Sequence, residues 1–201
     1  MIDVKLYQLE QFCIRWQTKV DTYGDSNLED IFDKFTSLYI VFNKLYRTLE
    51  TLLLEKNELA SIQGLKFRSR KKNELSDNNA ATVFVANYLK DNAENIISEL
   101  TNEIKIYIDI IENNRFHFDI KSELTIENKN KNDIMVLNDL RQNNPIIKFT
   151  GLLTILYRIR CNLFHGTKGF FNEQQKVLNP AINSLTIINS FLLNAIILKD
   201  T

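Results

Sequence analysis

The sequence predicts an all-α protein built as an up-and-down bundle of long antiparallel helices, and three observations carry that reading. Glycine and proline are scarce, five and two in 201 residues, so little interrupts long helices. Apolar residues recur at steps of three and four along most of the chain, the spacing of one helix face. Strand-like alternation is confined to one short stretch, Arg115–Lys121. Hydrophobic residues make up 44 %, enough for a core at this length, and no internal repeat is visible. A single domain over residues 1–201 is expected.

The elements follow in order. Residues 1–24 hold a first helix over 3–20, ended by the turn-like Tyr23-Gly24-Asp25-Ser26-Asn27. Within 25–57, Ile31, Phe35, Leu38, Phe42, Leu45, Leu49 and Leu52 form one apolar stripe, with Asp25, Ser26 or Asn27 as its cap. The rhythm fails over 60–79, whose Lys66–Lys72 run is the most basic of the chain, so a loop is expected. A helical region resumes near 80 and becomes regular at Ile97, Leu100, Ile104, Ile108 and Ile111. Residues 113–133 are polar and rich in Asn and Lys, hence a second loop, followed by a short helix over 133–142. Asn144 and Pro145 signal the start of a helix that runs to His165, with Gly166 as its stop. The last helix buries Leu178, Ala181, Leu185, Ile188, Leu192 and Ala195, and Ile182, Ile187, Phe191 and Ile196 widen its apolar arc. Pro180 either follows a cap at Asn179 or lies inside a helix begun near Asn172.

Lys+Arg and Asp+Glu are both 25, so nucleic acid would have to be held by a local basic patch. Cys13 and Cys161 have no metal or redox spacing, which suits a reducing cytosol and a cytoplasmic protein. No metal or cofactor is expected, since two distant histidines and no carboxylate cluster give no ligand set. No signal-peptide run opens the chain, and even Leu178–Leu198 is broken by Asn and Ser, so no membrane partner is expected.

The densest chemistry lies in Tyr157-Arg158-Ile159-Arg160-Cys161-Asn162-Leu163-Phe164-His165-Gly166-Thr167-Lys168. An imidazole at His165 can take a proton from a ribose 2′-hydroxyl or return one to a leaving oxygen. A guanidinium at Arg160 can grip a phosphate in two places and stabilise charge building on it. Arg158 and Lys168 can hold flanking phosphates, and Asn162 can orient the imidazole or a phosphate oxygen. Cys161, beside arginines, is a weaker idea as a thiol nucleophile. On an ideal helix Arg158, Cys161 and Asn162 share a face with His165, while Arg160 points off it. Its long side chain either swings toward His165 or serves a site completed by another helix or subunit, and the spacing does not decide between these. The plainer reading of the same residues is a helix end, with a cation on the dipole and Gly166 as cap.

Arg160 to Lys168 resembles the Arg-x4-6-His signature of HEPN domains, in the subgroup where Gly and Lys follow the His. Phe32 to Tyr46 looks like the first core helix of such domains, and the resemblance covers 25–57 and 145–198. It implies an all-α bundle, a homodimer, and a metal-independent endoribonuclease of toxin–antitoxin, abortive-infection or other antiviral systems. It also implies that Arg160 and His165 are the catalytic pair, contributed by both subunits to one cleft, with RNA as substrate and an antitoxin or defence protein as a further partner. Cys161 stands where such domains commonly carry a small polar residue. Thr167 stands where a branch silenced by tyrosine modification needs its Tyr, so that control is not expected. The alternative is a HEPN-like module that binds RNA or nucleotide, or dimerises, without cutting. Elsewhere, His117 and the Lys66–Lys72 run with Phe67 can contact RNA but read more simply as solvated segments, and Asn43 is expected to satisfy a buried hydrogen bond.

Overall fold

α1 spans Val4–Val20 and α2 Leu28–Glu55 in a computed structural model that describes residues 4–59, 62, 64–68, 71–113, 131–164 and 174–199. Asn27 is the α2 cap, its side-chain oxygen accepting from the Asp30 N–H at 2.7 Å. The helix ends on Asn57 in the left-handed region at φ 57°. There the Glu58 N–H reaches the Leu53 carbonyl at 2.9 Å and the Asn57 N–H reaches Leu54 at 3.1 Å, closing the last turn. Between these ends the stripe is buried as its spacing requires: Ile31, Phe35, Leu38, Phe42, Leu45 and Leu49 are none more than 1 % exposed. Leu52 is half-buried and Leu53 takes the last core position. Asn43 corrects its expectation, because it lies exposed on the outer face of α2 and satisfies no buried bond.

The helix packed most extensively on α2 is the last one, α9, over Gln175–Lys199. The two are tied by the Asn189 side-chain N–H donating to the Leu38 carbonyl at 3.1 Å. Leu178, Ala181, Leu185, Ile188, Leu192 and Ile196 fill the core between α9 and its neighbours, while Ala195, Ile187 and Phe191 are half-buried. Pro180 lies inside α9 rather than at its start, five residues after Gln175. Gln175–Leu198 is long and apolar enough to cross a membrane by length and composition, with mean hydropathy 1.7, which the Asn and Ser interruptions led us not to expect. Its inner residues are the core just described.

The middle of the chain departs most from expectation. Phe67–Arg68 (β1) and Lys71–Leu75 (β2) pair antiparallel with Phe67 opposite Leu75, where a loop over 60–79 was expected. Such short strands cannot show a period, but Leu75 is fully buried and anchors the hairpin. Ser76 caps the helical run that follows: α3 over Asp77–Asn79, a π-helical turn over Ala80–Phe84 and α4 over Val85–Tyr88. A 3₁₀ turn at Lys90–Asn92 leads to α5 (Ala93–Glu99) and α6 (Thr101–Glu112). Residues 114–130, with His117 and most of the expected 113–133 loop, lie outside the described residues. Residues 131–133 of that loop are helical, because α7 spans Lys131–Arg141.

α8 runs Pro145–Phe164, and the Asn144 side-chain oxygen accepts from the Ile146 N–H at 2.9 Å as the expected cap. It lies against α7, α5, the π-helical turn, α4 and α9, so its apolar residues are covered on several sides. Gly151 permits the close approach to α7: a Cβ there would sit 3.0 Å from Asp139 Cβ and 3.4 Å from Leu140 Cδ2. Gly151→Val should destabilise the protein by about 1–3 kcal/mol, the usual cost of overpacking. A urea titration coincident with that of the parent would show the contact to be slack.

Candidate functional site

α8 is buried along most of its length, and its last two turns bring the motif side chains to three different places. Arg158 leaves on the α7 side, donating to the Asp133 carboxylate at 3.1 Å and the Asn132 carbonyl at 3.2 Å. Asp133 is 5 % exposed, so this pair fastens α7 to α8. The Arg158 guanidinium, expected to hold a flanking phosphate, has a sheltered anionic partner within the chain. Asn162 is 2 % exposed and lies beneath the surface at this end of α8. His165, with Gly166 and Lys168, lies outside the described residues.

Arg160 goes the other way, toward α2 and the start of α3. Its guanidinium lies 5.9 Å above the centre of the Tyr39 ring. One nitrogen is 3.9 Å from the Cys161 sulfur and 3.7 Å from an Asp77 oxygen. The side chain is 31 % exposed. Arg158 and Arg160 therefore leave α8 toward different neighbours, as the helical angle between them requires, and the adjoining Cys161 joins the Arg160 cluster.

Asp77 is held by more than Arg160. Its other oxygen accepts from Arg47 Nη2 at 2.7 Å and from the Tyr46 hydroxyl at 3.1 Å. Arg47 in turn pairs with Glu50 at 2.6 Å, and Glu50 accepts the Leu75 N–H at 2.6 Å. Glu50, only 5 % exposed, thereby ties the hairpin to α2 and fixes where Asp77 emerges. The result is a connected run Glu50–Arg47–Asp77–Arg160, walled by Tyr39, Tyr46 and Tyr157.

The electrostatics follow from that wall. Burial pushes the Tyr39 phenol well above its ordinary range; Tyr46 adds to this and Arg160 opposes it. Burial likewise raises Tyr46, helped by Asp77. Tyr157 is pushed up to about 12, first by burial and then by the neighbouring Cys161. All three phenols stay neutral donors near neutral pH. Burial works against the charge on Arg160, but Cys161, Tyr39 and Asp77 more than offset it, and the guanidinium stays protonated. Such a site can hold an anion against a fixed cation in a partly dry setting.

Sequence reasoning missed Arg47, Asp77, Tyr39, Tyr46 and Tyr157. Tyr39 and Tyr46 lie seven apart in α2, a spacing that marks one face, but nothing in the sequence links them to residue 77 or 160. An open hollow of about 440 Å³, bordered by Leu53, Tyr88, Lys90 and Ala195, contains none of the motif residues. Among the described residues no group of three His, Cys, Asp or Glu side chains is placed to hold a metal ion. No family model, curated protein or solved structure matches the chain.

Proposed function

We propose that this protein is a HEPN-like, metal-independent endoribonuclease that acts in the cytoplasm as a toxin or antiviral, abortive-infection effector. The observation that carries the reading is the position of Arg160. It stands partly exposed in a tyrosine-lined, partly dry setting, four residues before α8 ends at Phe164, and His165 follows directly. Its contact with Asp77 is long, at 3.7 Å, so a phosphate can compete for it. In the proposed reaction the His165 imidazole takes the ribose 2′-hydroxyl proton, and the oxygen attacks the adjacent phosphorus. The bond to the 5′-oxygen breaks, that oxygen gains a proton, and a 2′,3′-cyclic phosphate remains. Arg160 stabilises the charge on the phosphate in transit. A homodimer with both pairs at one cleft, and an antitoxin or defence partner, belong to the same proposal.

Purified protein should therefore cut single-stranded RNA in excess EDTA and leave cyclic-phosphate ends. Cleavage abolished by EDTA would overturn the mechanism. The internal pairing of Arg160 with Asp77 favours one other reading, a module that docks RNA or dimerises without cutting. Intact RNA, bound with a salt-dependent affinity at every pH tested, would establish that reading instead.

A further inference from the structure

Two arginines from different helices converge on one carboxylate. Arg47 of α2 and Arg160 of α8 meet at Asp77, a residue at the start of a short helical run that carries no other charge near them among the described contacts. Their holds on it differ. Arg47 contacts Asp77 at 2.7 Å and is itself clamped by Glu50, whereas Arg160 reaches the opposite oxygen at 3.7 Å. Beside Arg160, the Tyr39 hydroxyl is 4 % exposed by residue and has no hydrogen-bond partner among the described residues. It is near enough to Arg160, Asp77 and Cys161 to feel all three. A buried hydroxyl without an acceptor, beside a long guanidinium–carboxylate contact, marks a setting built for an anion.

We infer that Asp77 is an internal stand-in for a phosphate: it occupies the seat between Arg47 and Arg160, holds Arg160 back, and yields Arg160 to an incoming RNA phosphodiester. Arg47 then keeps Asp77 in place, and the arriving phosphate takes the Arg160 guanidinium, the partly exposed member of the cluster. The chain thus carries its own competitor for the substrate. This rests on the reading of Arg160 as the phosphate grip, and it assigns Asp77 a restraining role that reading does not need.

The test measures binding separately from cutting. In a His165→Ala background, the affinity for a short fluorescein-labelled single-stranded RNA is read by polarisation for the parent, Asp77→Asn and Asp77→Glu. Asparagine keeps the acceptor for Tyr46 and Arg47 but drops the charge, so affinity should rise about 3- to 10-fold. Glutamate keeps the charge and should give no gain. Adding Arg160→Ala to Asp77→Asn should erase the gain. Should Asp77→Asn melt early, Asp77→Ser supplies a second neutral variant suited to the first turn. Unchanged or weaker binding by a folded neutral variant overturns the inference, as does a gain that survives Arg160→Ala. A gain that depends on Arg160, in a protein that never cuts, upholds the seat and sinks the ribonuclease. EDTA-resistant cutting that neutral variants leave unaltered does the reverse.

Discussion

His165→Ala should lower RNA cleavage on the order of 10²–10⁴-fold, the usual scale for losing a positioned acid–base group. RNA affinity should change far less, because the grip on the phosphate is assigned to Arg160 and the proton transfer to His165. The two roles separate in a second variant. Arg160→Lys keeps the charge but loses the planar two-pronged donor, so cleavage should fall while a weakened affinity remains. Single-turnover rates at saturating protein, paired with polarisation titrations, read the two quantities apart. A His165→Ala protein that cuts at the parental rate removes the imidazole from the mechanism altogether. Equal losses of affinity in both variants would make the pair a binding element and favour the non-catalytic module. In cells, toxicity on expression should vanish with either substitution if the effector reading holds.

How far the sequence spoke depends on whether the information was local. α2 and α8 are announced by their own chemistry: Asn27 and Asn144 cap them, and steps of three and four choose their buried faces. Residues 77–100 kept no single rhythm for a physical reason. The π-helical turn over Ala80–Phe84 widens the helix locally, and Leu89 and Leu100 break it again at ψ 17°. Each interruption rotates the following face, so residues that are buried, such as Ala81, Phe84 and Leu89, fall on no common stripe. The hairpin before it is two and five residues long, too short for alternation to register. The candidate site was half legible. Arg160 stood out because it shares a short segment with His165, whereas the residues around it come from 83 to 121 positions upstream: Asp77, Arg47, Tyr46 and Tyr39. On α8 the helical angle set Arg160 apart from Arg158, and the structure sends the two to different neighbours, α2 and α7.

Phe42→Ala should cost about 3–5 kcal/mol of stability, a large share of the roughly 5–15 kcal/mol a domain has. Phe42 is fully buried in α2, and its ring meets Tyr39 at 5.6 Å and Tyr46 at 5.2 Å, both nearly edge-on. Removing it leaves a cavity between rings that are themselves fixed in α2, so little can collapse into the gap. At this size the midpoint of thermal unfolding should drop by roughly 6–20 °C. Tyr7→Ala, at a side chain 52 % exposed on α1, should stay within about 0.5 kcal/mol of the parent and serves as control. The functional consequence is separable from the loss of folded protein. Tyr39 carries the Arg160 guanidinium on its face, and Tyr46 holds Asp77 by its hydroxyl, so both supports of the anion seat lean on Phe42. RNA affinity measured well below the melting point should therefore weaken even where nearly all molecules are folded. A Phe42→Ala protein that is destabilised as expected yet binds RNA like the parent would show that the tyrosine wall and the seat are mechanically independent.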